Sequence, residues 1–188
     1  VIELPAAAKS WLDAVPLERN ALLAAFSGAA RALGKQPVDV PGRGTWGTDE
    51  LGRAALLVRA FPRLQPQELW AHGDNRERQS VLRALALLPE PAQFVALAIE
   101  ACRSNVLTVF EAIACDNPYA AAHFPELNFN QMVLKAAFNG VALARIVGLP
   151  ERQNAELARM ARDFAAERRA AGRSVPADLD LAMKGAAP

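Results

Sequence analysis

Apolar residues recur at helical spacing along most of the chain, and the breaks between stripes fall at proline, glycine or capping residues. A first segment, 4–15, carries Trp11 and Leu12 on its apolar side. Pro16 then opens a long helix to about Leu33, with Leu22, Leu23, Phe26 and Ala30 at helical spacing and Gly34 to close it. Thr48 is placed as an N-cap for a helix ending before Pro62, with Leu51, Ala55, Leu56 and Val58 as its apolar residues. A short segment, 66–71, precedes Asp74 and Glu77, whose spacing is that of a capping box, and a helix over 75–88 follows. Helices over 91–102 and 104–114 come next, the second capped by Ser104. Asn128 and Gln131 repeat the capping-box spacing and predict a helix over 129–139 that Gly140 ends. Pro150 reads as a first-turn proline for a helix over 151–171, closed by Gly172, and a short tail helix follows Pro176. No strand pair is expected.

The pattern predicts an all-α chain, one domain over 1–188 of about nine helices. Short connections make neighbouring helices antiparallel hairpins, stacked in a HEAT-like or irregular bundle. Two loops interrupt it, at 34–47 and 115–127. Forty alanines against eleven glycines reinforce the helical reading. At 188 residues the chain can bury a core without staples.

Charge narrows the function. The 21 basic and 20 acidic residues nearly cancel, which argues against a dedicated nucleic-acid surface. No apolar run reaches the length of a membrane span, and no signal peptide is visible. Cys102 and Cys115 lack metal-ligand spacing and read as reduced core thiols of a cytoplasmic protein. Only two histidines occur, so neither a metal site nor a cofactor is expected.

Two stretches carry candidate chemistry. Gly42, Gly44 and Gly47 match the G-x-G-x-x-G of dinucleotide turns, but no buried strand can fit between Pro37 and Pro41. The glycines read instead as turn residues, with Trp46 pinning the loop to the body. The second stretch, CDNPYAAAHFPELNFNQMVLKAAFNG, gathers Asn117, Tyr119, Asn128, Asn130, Gln131 and Lys135. With Arg83 these could hold a small polyol or phosphate through charge-assisted hydrogen bonds. The structural alternative is a buried polar network in which Asn130 ties down the preceding loop. Cys115, His123 and Glu126 offer a nucleophile, a base and an orienting group, although their order and spacing fit no established triad. Trp46, Phe61 and Trp70 are candidates for an exposed docking surface.

The same central stretch resembles the EboA domain family, with FPELNFNQMVLK as the most specific part. The resemblance extends to LARIVGLPERQNAELARMARDFAAERRAAGRSVP and, more loosely, to GDNRERQSVLRALALLP and DELGRAALL, so it covers 48–176. It implies a bacterial protein without established enzymatic activity. Genes of that family stand beside those for a UbiA-like prenyltransferase, a sugar-phosphate cyclase and TIM-barrel proteins, a TatD-like hydrolase and a sugar-isomerase-like enzyme. Their operon is linked to building an exported specialised metabolite or to moving precursors out of the cytoplasm. The expected function is thus a non-catalytic accessory protein that binds a pathway intermediate or docks partner enzymes. The alternative is an uncharacterised enzyme using Cys115, His123 or Glu126.

Overall fold

The computed structural model describes residues 3–184. Ten α-helices are present among them, and the fold is all-α apart from one two-stranded hairpin. The backbone groups into two compact units, Val1–Ile113 and Ala114–Pro188. No helix among the described residues is long and apolar enough to cross a membrane.

The first unit is organised around α3 (Thr48–Ala60), which packs against α1 (Ala6–Ala14), α2 (Arg19–Leu33) and α5 (Asn75–Ala84). Helix α3 is buried nearly all round, through Leu51, Gly52, Ala54, Leu56, Leu57 and Ala60, and even Asp49, Glu50 and Arg53 are buried. An all-round burial of this kind is what a central helix requires. Val58, expected inside, is exposed, and Ala55 is only half-buried. Helix α4 (Pro66–His72) packs on α5, whose start carries the predicted capping box. Asp74 accepts from the N–H of Arg76 and of Glu77 at 2.8 Å, and Glu77 accepts from the Asp74 N–H at 2.9 Å. Helix α5 stops at Ala84, and Leu85–Leu87 and Pro91–Phe94 are 3-10 turns leading to α6 (Val95–Ala101) and α7 (Leu107–Ala114).

The region 34–47 corrects the expectation of a strandless loop. Strands β1 (Pro37–Asp39) and β2 (Thr45–Gly47) pair antiparallel, with Val38 opposite Trp46. The turn between them needs left-handed backbone at Gly42 (φ 70°) and Gly44 (φ 67°), which is why the glycines stand there. Helix α2 begins at Arg19 rather than at Pro16.

In the second unit, α8 (Tyr119–His123) and α9 (Glu126–Phe138) precede α10 (Ala155–Ala170), and α9 packs on α10. Phe129, Met132, Val133, Ala136 and Ala137 of α9 and Leu157, Ala161 and Ala165 of α10 form buried stripes. Helix α9 starts at Glu126, with Pro125 at its N-cap, so Asn128 lies inside the first turn and caps nothing. Pro125 presets the entry backbone, and Glu126 adds a negative charge at the positive end of the dipole. Helix α10 starts at Ala155, capped by Asn154, five residues beyond the predicted proline.

Candidate functional site

The residues of the central stretch separate into a packed network and an outer face. Asn130 is fully buried, and its side-chain amide exchanges two hydrogen bonds with that of Asn154, at 3.0 and 3.1 Å. Asn154 in turn accepts from the Leu157 N–H at 2.8 Å. Asn130 thus fixes the start of α10, not the loop before its own helix. Asn117 is buried and accepts from the Tyr119 N–H at 3.0 Å. Tyr119 is fully buried, and burial pushes its phenol up to about 12. Arg152 donates to the carbonyls of Ala121 (2.6 Å) and Phe124 (2.8 Å) and lies over the Phe129 ring. Gln131 is exposed, while Asn128 and Lys135 are half-buried. Of the proposed nucleophilic set, Cys115 is buried, Glu126 is exposed, and the His123 ring lies 4.8 Å from that of Tyr119. Among the described residues no group of His, Cys, Asp or Glu is arranged to hold a metal ion.

The first unit contains the denser electrostatics. Asp49 is fully buried and receives Arg76 through both its oxygens, at 2.6 and 2.5 Å, and Arg53 Nη1 at 2.6 Å. Burial pushes the Asp49 carboxyl up, but the hydrogen bonds and charges of Arg76 and Arg53 prevail and hold it below the ordinary carboxylate value. Arg53 also donates to the Phe26 carbonyl at 2.9 Å. Glu50, next in the chain, accepts from the Gly47 N–H at 2.6 Å and from Arg83 at 3.2 Å, while its Oε1 is buried without a partner. Gly47 is needed here, because a Cβ would overlap Arg76 Nη2 and come within 2.6 Å of Asp49 Oδ1.

This network holds the β-hairpin. Arg83 donates to the Thr45 carbonyl at 3.2 Å and lies over the Trp46 ring at 5.4 Å. Trp46 is buried, and its Nε1 donates to the carbonyl of Arg43 at 2.8 Å. Arg83, expected at a ligand, is engaged in fixing the hairpin. Of the supposed surface aromatics, Trp46 is core, Phe61 packs edge-on against Phe94, and Trp70 is half-buried beneath Arg78.

Arg43, at the hairpin tip, was not singled out by its sequence, because G-R-G reads simply as a turn. It lines a cavity of about 700 Å³ together with Glu3, Leu4, Val38, Asp39 and Leu87. A second cavity of about 380 Å³ shares Leu4 and Leu87 with the first and is otherwise lined by Leu51, Ala54, Ala55, Val58 and Arg59. Arg59 donates to the carbonyls of Leu12 and Val15, so its charge is spent on the end of α1. The two cavities are neighbours, the first mixing Glu3, Asp39 and Arg43 with apolar side chains and the second almost wholly apolar, and each is within the size range of small-molecule sites. Arg43 differs from the other arginines around it. Arg53, Arg59, Arg76 and Arg83 all reach a carboxylate or a carbonyl, but Arg43 Nη1 is buried with no hydrogen-bond partner.

The family model for the metabolite traffic protein EboA matches residues 14–184. The chain belongs to the EboA family. No curated protein and no solved structure shows a significant match. The match spans both units of this EboA protein, so it includes α3, the hairpin and Arg43 along with the central stretch.

Proposed function

We propose that this EboA protein is a non-catalytic accessory component of metabolite traffic, acting in the cytoplasm on a specialised-metabolite pathway and holding one small-molecule intermediate at the cavities of its first unit. The observation that carries this reading is the pair of neighbouring cavities beside α3 and the hairpin, one mixed in polarity and one almost wholly apolar, with Leu4 and Leu87 in both linings. The polar groups of Asn117 and Asn130 are occupied within the protein, which supports placing the ligand at these cavities and not in the central stretch.

The test is native mass spectrometry of the protein equilibrated with a small-molecule extract of producing cells. A one-to-one adduct is expected, lost in Ala55→Trp, which fills the apolar cavity. The released molecule should keep its mass on prolonged incubation. No adduct, or an adduct indifferent to Ala55→Trp, contradicts the reading. A change of mass would favour the enzyme alternative, to be checked with Cys115→Ser, His123→Asn and Glu126→Gln.

A second reading, docking of operon partners such as the prenyltransferase or the sugar-phosphate cyclase, has one observation in its favour. Leu127 and Phe138 of α9 are 57% and 66% exposed, and eleven residues of helix return them to the same face. Binding of a purified partner that is lost in Leu127→Asp and Phe138→Asp would support it.

A further inference from the structure

Resting on the cavity reading, we infer that the ligand is an uncharged aliphatic molecule, seated in the smaller cavity against Leu51, Ala54, Ala55 and Val58 of α3. Three observations combine. The first is a break in the packing of that helix. Helix α3 is enclosed by α1, α2 and α5 and buried nearly all round, yet Val58 is 37% exposed and Ala55 is only half-buried. Leu51, Ala54, Ala55 and Val58 fall within two helical turns at the spacing of one face, so they form a single apolar line. The protein covers that line at Leu51 and Ala54 and leaves it open at Ala55 and Val58.

The second observation is the size of the opening. Leu4, just before α1, and Leu87, which ends the 3-10 turn after α5, complete a lining around about 380 Å³. That volume suits a small molecule, whereas one turn of a partner helix, about 10 Å across and about 5.4 Å in height, already exceeds it. The third is the chemistry of the wall. Arg59 is its charged residue, and both terminal nitrogens donate to the carbonyls of Leu12 and Val15 at the end of α1. Its methylene stem is then the part left for a ligand. The remaining lining side chains carry no polar atom, so an ionised group would lose its water there without gaining a partner. An aliphatic body needs no partner and is driven into such a cavity by leaving water.

The experiment is calorimetric titration of the intact protein with three eight-carbon probes: octanol, octanoate and octylammonium. Octanol is expected to bind one-to-one, at least tenfold more tightly than either ion, and with the negative heat-capacity change of apolar burial. Ala55→Trp, which fills the cavity, and Val58→Asp, which sets a carboxylate in its wall, should each weaken octanol at least tenfold. Leu127→Asp, in the second unit, should leave octanol binding unchanged. Circular dichroism and melting temperature confirm that each variant is folded, and Val58→Asp, at an exposed position, carries the test should Ala55→Trp fail to fold. Equal or tighter binding of an ion overturns the uncharged class, and octanol binding that survives in both wall variants overturns the site. No octanol binding, with an extract adduct still lost in Ala55→Trp, overturns this inference and leaves the cavity reading standing. Octanol binding without any extract adduct would support the apolar site and contradict the metabolite reading. Displacement of octanol by a purified partner protein would give the cavity to a protein side chain and overturn the small-molecule occupant.

Discussion

Asp49 and Gly47 show how narrowly single residues are constrained in the first unit. Asp49→Ala would leave Arg53, whose side chain is 3% exposed, without its carboxylate. Breaking a buried pair from one side costs about 3–5 kcal/mol, so urea denaturation should show a loss of that order. Removing Glu156 from its exposed contact with Arg159 should leave the urea midpoint almost unmoved, since both partners stand in water. The Asp49 effect has a definite pH dependence. Its folded-state pKa lies below the unfolded value of about 3.9, so its contribution is complete above that pH and is lost as pH falls through the folded value. The stability gap between wild type and Asp49→Ala should be constant from neutrality down to roughly pH 4 and narrow below it. Gly47→Ala forces a methyl against Arg76 and Asp49 and should cost about 1–3 kcal/mol in the same assay.

At the level of elements, helix existence was legible and the ends were less so. The Asp74–Glu77 box announced α5, and Gly34 and Gly140 fall just past α2 and α9 as expected. The Asn128–Gln131 spacing misled, because Pro125 and Glu126 supply an earlier start for the same helix. The hairpin was invisible for a different reason. Pro-Val-Asp and Thr-Trp-Gly are too short to show alternation, and what holds them is the turn, the burial of Trp46 and the reach of Arg83. Ala55 and Val58 read as core because apolar residues at helical spacing look alike whether they meet protein or a cleft. Arg43 could not be found from sequence, since its isolation depends on where every neighbouring arginine turns. Among these elements, the start of α10 gives the sharpest test. Asn130→Ala takes both hydrogen bonds from the half-buried amide of Asn154 and should cost about 1 kcal/mol. Hydrogen exchange should show the first turn of α10 losing protection ahead of its last turn. Uniform protection along α10 would mean that the amide pair does not hold that end.

For the molecule as a whole, a ligand that binds only the folded state at 100 times its dissociation constant adds about 2.7 kcal/mol to stability. The metabolite recovered as the mass adduct should, at such an excess, raise the melting temperature of the wild type clearly and that of Ala55→Trp much less. The central claim is that the metabolite lies in the first unit, against the apolar wall of α3. The most direct measurement is a methyl NMR spectrum of the protein before and after addition of the extract fraction that gives the mass adduct. Shifts concentrated on Leu4, Leu51, Val58 and Leu87 are the predicted result. Shifts confined to Leu127, Val133 and Leu134 of α9 would contradict it and return the site to the central stretch.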